Sequence, residues 1–212
     1  MVLLPYATPY FWASCQHFGI QEMFYKMVDA PAVYDSLLER LSVDSQALLL
    51  HFLTAARGCV DIVELWDDMA GQHGMMVDPA WWRRVIKPWL AQEVALVHAH
   101  DMKVIFHSCG AVRPILPDLI DIGVDALEVF QINAAGMEPR SIAKEFGGRL
   151  AFYGGIEVQH LLSSGTREEV AAQVRYNIDC FRECGGYIVA NCHSHIRTIK
   201  GENIVAMCEA AK

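Results

Sequence analysis

Short apolar runs alternate along this chain with longer amphipathic segments, and the polar residues collect where the apolar runs stop. This one pattern restricts the fold more than any other feature. The runs "VDIVELW" (60–66), "KVIFHS" (103–108), "VDALEVFQ" (124–131), "RLAFYGGIE" (149–157) and "YIVANC" (187–192) are rich in Val, Ile and Phe. Such runs suit strands covered on both faces, as in a parallel sheet. "VLLPYA" (2–7) reads as a sixth strand, one that begins abruptly. Helical patterns lie between them. One covers about 19–57 and restarts at Asp29-Ala30-Pro31, with Asp29 as cap and Pro31 in the first turn. Another runs over 78–101 behind Asp78 and Pro79, with a kink at Pro88. Short helices are predicted over 112–123, closed by Gly123, and over 139–146. Thr166 and Glu169 form a capping box for a helix to Cys184, with Gly185 beyond its end. The last helix covers about 201–211. Repeated strand–helix alternation places the chain in the α/β class, in about six units and as a single domain over 1–212.

Composition limits the partners. The 212 residues are 53% hydrophobic, ample for one sizeable core, and the net charge of −8 disfavours binding to nucleic acid or to an anionic membrane. No window reaches the roughly 18 consecutive apolar residues of a membrane span. The apolar N-terminus lacks a basic region and is interrupted by Pro5 and Pro9, so it does not read as a signal peptide. Seven cysteines, an odd number at irregular spacing, point to a reduced cytoplasm as the expected location.

In parallel α/β folds the chemistry gathers at the carboxyl ends of strands. Those ends supply Asp67 and Asp68; His107 and Cys109; Gln131; Gly154, Gly155 and Glu157; and Cys192, His193 and His195. Thiolate and imidazole suit Zn2+. Residues i and i+2 of an extended segment point the same way, so His107 and Cys109 can grip one ion, while Ser108 points elsewhere. A third ligand from another strand end would leave one position open, the pattern of a catalytic rather than a structural zinc. The plainer alternative is a core histidine bonded to a carbonyl, next to a core cysteine. Cys180 and Cys184, four apart on a helix, and Trp81, Trp82 and Trp89 read as packing residues. His98 and His100 read as helix-end residues, and Asp67-Asp68 can equally be a helix cap.

Four stretches together, "DDMAGQHGMMVDPAWWRRVIKPWL", "KVIFHSCGAVRPILPDLIDIGVDALEVFQINAAGMEP", "LAFYGGIEVQHLL" and "GGYIVANCHSHI…ENIVAM", resemble the uroporphyrinogen decarboxylase superfamily over about 12–207. Within it, the H-x-C-G stretch is similar to the zinc-dependent methyltransferase branch. The resemblance implies a TIM (β/α)8-barrel. A full barrel takes about 250 residues, and this chain starts in what resembles the middle of the family pattern. An incomplete barrel of about six units, lacking N-terminal units and assembling as a homo-oligomer with residues 1–18 at the contact or over an open edge, is therefore expected.

The resemblance also implies a function: methyl transfer between a corrinoid protein and a thiol or related small-molecule acceptor, with the corrinoid carried by the partner protein. It implies zinc on His107, Cys109 and His193, with Cys192 as second choice for the third ligand. Asp67, Asp68 and Glu157 would be catalytic, and Gln72 and Gln131 would bind substrate. Two alternatives stand beside this reading. One is decarboxylation of porphyrinogen carboxylates, with Asp67 or Asp68 facing pyrrole nitrogens, although the arginine-containing N-terminal segment of that enzyme has no counterpart here. The other is a non-catalytic truncated barrel that binds a small molecule or a partner.

Overall fold

The fold is that of a computed structural model, which describes residues 2–3, 9–194 and 197–212. Part of "VLLPYA" and His195 lie outside the described residues. The chain divides into two compact units, Met1–Met69 with Met76–Ser108 and Asp118–Asp125, and Ala70–Met75 with Cys109–Pro117 and Ala126–Lys212.

The first unit holds β1 (Val2–Leu3), helices α1 (Tyr10–Phe18), α2 (Ile20–Asp29) and α3 (Pro31–Ala55), β2 (Ile62–Trp66), α4 (Pro79–Val85), α5 (Lys87–His98) and β3 (Lys103–His107). β1, β2 and β3 pair in parallel, with Ile62 opposite Lys103 and Trp66 opposite His107. Burial alternates along β2: Val63 and Leu65 are buried, while Ile62, Glu64 and Trp66 are half-buried. β3 buries three consecutive residues, Val104 to Phe106, as the apolar run predicts. Two expectations are corrected here. Asp29 does not cap α3: it is the last residue of α2, whose closing bond runs from Ala30 N to Lys26 O, and Ala30 takes the non-helical junction. The 78–101 segment does not kink at Pro88 but breaks two residues earlier. α4 ends at Val85, Ile86 is the joint, and Pro88 takes a first-turn position of α5, where its missing N–H costs no bond.

A 3₁₀ turn (Arg113–Ile115) then leads into α6 (Leu116–Asp121). The second unit adds β4 (Ala126–Phe130), α7 (Pro139–Phe146), β5 (Ala151–Ile156), α8 (Leu161–Ser164), α9 (Arg167–Phe181), β6 (Tyr187–Asn191) and α10 (Gly201–Ala210). β4, β5 and β6 are parallel neighbours. Six strands are thus present among the described residues, each run read from the sequence supplying one. The capping box forms as expected, with Thr166 and Glu169 each bonded to the other's backbone. Phe130, Phe152, Phe181 and Tyr187 pack ring on ring, at centroid distances of 5.0–5.7 Å.

The Gly154-Gly155 pair at the end of β5 is required by its backbone. Both φ angles are positive (126° and 86°). A Cβ at Gly155 would lie 2.5 Å from the Tyr187 hydroxyl and 2.6 Å from Asn177 Nδ2. Those two groups instead donate to the pair's carbonyls, Tyr187 Oη to Gly154 O at 2.9 Å and Asn177 Nδ2 to Gly155 O at 2.8 Å.

Candidate functional site

In the first unit the register Trp66–His107 brings the residues after β2 alongside the end of β3. Asp67 N donates to His107 O at 3.0 Å. The two aspartates then part. Asp67 is buried and accepts from Phe11 N at 2.7 Å and Trp12 N at 2.9 Å, so it caps the first turn of α1. Burial pushes its carboxyl up to about 7, against the pull of those two backbone donors. Asp68 is the carboxylate that faces the histidine: its Oδ1 lies 3.6 Å from His107 Nε2, and both side chains are half-buried. That separation is too long for a direct hydrogen bond and leaves room for a water or a cation between the two groups.

Cys109, a half-buried thiol in no disulfide, follows His107 with one residue between. It belongs to the second unit, where the next residue is tightly held. Gly110 has φ +86°, and a Cβ there would lie 2.6 Å from both Ala70 O and Gly71 O. Ala111 N donates to Gly71 O, and Gly110 N donates to Gln131 Oε1, both at 2.9 Å. The 70–75 loop that supplies these carbonyls carries Gln72, whose side chain is exposed and whose backbone O accepts from Ala135 N at 2.8 Å.

A cavity of about 240 Å³ in the second unit is lined by Gln131, Asn133, Glu157, Gln159, Cys192 and His193, together with Val158. It gathers four of the residues singled out by sequence. Glu157 is buried, and its carboxylate accepts from His160 N at 2.8 Å and Leu161 N at 2.7 Å, holding the start of α8. Cys192 is buried and donates its thiol to Phe130 O at 3.1 Å. Burial first, with Glu157 and the Cys109 thiol as lesser neighbours, pushes Cys192 up to about 12, so it is a neutral thiol. His193 is exposed.

Sequence reasoning missed Glu93. It is buried in α5 and accepts from Tyr10 Oη at 2.9 Å and Ser45 Oγ at 2.6 Å. Burial pushes it up to about 7. Its signal was an acid on an apolar stripe, three residues after Leu90 and four before Val97. Asn133 and Gln159 were missed as well; they lie two residues beyond Gln131 and Glu157, which were identified.

Among solved structures, the chain is similar to a methyltransferase from Methanosarcina mazei, with a TM-score of 0.75 and 16% identity. The match covers 96% of this chain and 56% of that one, so the chain spans a little over half the length of that structure. At that identity the likeness concerns the fold. Comparison with curated proteins finds no match. The family model described as uroporphyrinogen decarboxylase (URO-D) matches residues 14–212. With nearly the whole chain matched, and its parallel α/β strands as that barrel family requires, the protein belongs to the URO-D family.

Proposed function

We propose that the protein is a zinc-dependent, methyltransferase-like enzyme that moves a methyl group between a corrinoid protein and a thiol or related small acceptor. The observation that carries this reading is the carboxylate oxygen of Asp68 at 3.6 Å from His107 Nε2, taken with the H-x-C spacing of His107 and Cys109 in the sequence. Imidazole and thiol with a carboxylate beside the ring fit zinc and its usual outer partner. His107 and Cys109 are ligands, and His193 is the third. Cys192 suits that role less well, because its thiol would have to give up both its proton and its bond to Phe130 O. Bound zinc supplies a Lewis acid that turns a coordinated thiol into a thiolate at neutral pH. Asp68 orients the His107 ring and takes or returns a proton beside it. Asp67 and Glu157, whose oxygens hold the first turns of α1 and α8, position backbone and do not act as free bases. Gln131, with Asn133 and Gln159, offers carboxamide contacts to the acceptor.

The size and lining of the cavity favour a small acceptor. At about 240 Å³ it lies below the usual range for drug-sized ligands, and the described residues of its lining include no Lys or Arg to meet the carboxylates of a porphyrinogen. Elemental analysis tests the reading: about one zinc per chain is expected, and most of it should be lost in Cys109→Ser, because a hydroxyl replaces the soft ligand. Full zinc in Cys109→Ser would refute the ligand assignment, and a metal-free protein would favour a binding module without catalysis.

A further inference from the structure

Cys109 lies just past the end of β3, in a turn whose placement decides where its sulfur points. Three restraints act on that turn in the second unit. The Gly110 backbone is pressed against the carbonyls of Ala70 and Gly71, where no side chain fits. Ala111 N is bonded to Gly71 O. Gly110 N is bonded to the side-chain oxygen of Gln131. The first two tie the turn to another loop. The third ties it to the end of a strand, because Gln131 immediately follows β4, whose last residue, Phe130, is fully buried and whose backbone O accepts the Cys192 thiol. The same side chain lines the cavity that contains Cys192 and His193.

We infer that Gln131 is a positioning residue for Cys109: its carboxamide oxygen anchors the Gly110 N–H to the end of β4 and thereby fixes the direction of the thiol. This rests on the reading of Cys109 as a zinc ligand for its consequence, but not for its geometry. A ligand's outer partners hold it in the orientation the metal needs, and removing one typically lowers metal affinity by about 10–100-fold. In the metal-free protein the loss of one such bond loosens the turn by roughly 0.5–1.5 kcal/mol, or about 2–12-fold in the population of open forms.

Two variants separate the possibilities. Gln131→Leu removes the acceptor, and Gln131→Glu keeps an oxygen for Gly110 N. Each is treated, metal-free and at full length, with iodoacetamide, and the rate at every cysteine is followed by peptide mass spectrometry. Zinc affinity is measured alongside by competition with a chelator. Gln131→Leu is expected to speed labelling of Cys109 several-fold while buried Cys15 keeps its rate, and to weaken zinc about tenfold or more. Gln131→Glu is expected to label Cys109 no faster than the parent and to retain zinc affinity. Unchanged Cys109 labelling in Gln131→Leu overturns the inference, as does a Gln131→Glu variant that behaves like the leucine one. Faster labelling of Cys15 and Cys109 together also overturns it, since that marks general loosening. If none of the proteins binds zinc, the metal reading fails and the labelling rates still decide the role of Gln131. Gln131→Ala takes the place of the leucine variant if that protein does not fold.

Discussion

Cys192 and His193 are neighbours in sequence and opposites in environment. The buried thiol is spent on Phe130 O, whereas the imidazole is exposed on the cavity lining. Position in a family pattern separates them by one residue only, and burial, which separates them further, is not visible in a letter string. The same holds for Asp67 and Asp68: two adjacent carboxylates read alike until one is seen capping α1 and the other facing His107. Two outcomes follow at this scale. His193→Ala should weaken zinc more than Cys192→Ala in chelator competition, and the opposite order would transfer the ligand role to Cys192. In native alkylation, Cys192 should react more slowly than Cys109, because a buried neutral thiol presents almost no thiolate; equal rates would contradict its burial.

The elements themselves were largely legible. Val-, Ile- and Phe-rich runs became strands, the Thr166–Glu169 box formed, and Asp78 accepts from Ala80 N at the start of α4. Less legible were the places where tertiary contacts decide the backbone, such as the left-handed glycines of β5. "AFYGGI" reads as a strand and is one, but the close approach of Phe130 to Gly154, and of Tyr187 and Asn177 to Gly155, comes from residues distant in sequence. Gly155→Ala should therefore cost about 1–3 kcal/mol in strain and collision, a loss of several degrees in Tm by calorimetry. Glu93 ties three helices, accepting from Tyr10 of α1 and Ser45 of α3 within α5. Its folded pKa, like that of Asp67, is raised to about 7 from an ordinary carboxylate value. The folded state then binds more protons than the unfolded state between about pH 4 and 7. These two groups make stability fall as pH rises through that window and level off above it. Glu93→Gln, which keeps an acceptor but cannot ionise, should flatten the decline in Tm between about pH 4 and 7; a decline as steep as the parent's would remove Glu93 as a cause.

At the scale of the whole molecule, no described helix is long and apolar enough to cross a membrane. The first unit nevertheless exposes apolar side chains along neighbouring helices, with Ile20, Tyr25 and Val28 on α2 and Val33 on α3. We propose a second copy of the chain as their cover. The mass in light scattering behind size exclusion should exceed the 23.7 kDa of one chain, and Val28→Arg should lower it. A monomer at micromolar concentration would exclude such a contact. Finally, the bonds that the Phe11 and Trp12 amides donate to Asp67 make an early segment of the chain part of what holds the end of β2. An expression boundary drawn at residue 14, tempting because the family match begins there, would strip that carboxylate of both donors and leave a buried acid unanswered beside Asp68. Loss of activity in such a trimmed protein would then reflect a collapsed strand end rather than a missing catalytic group.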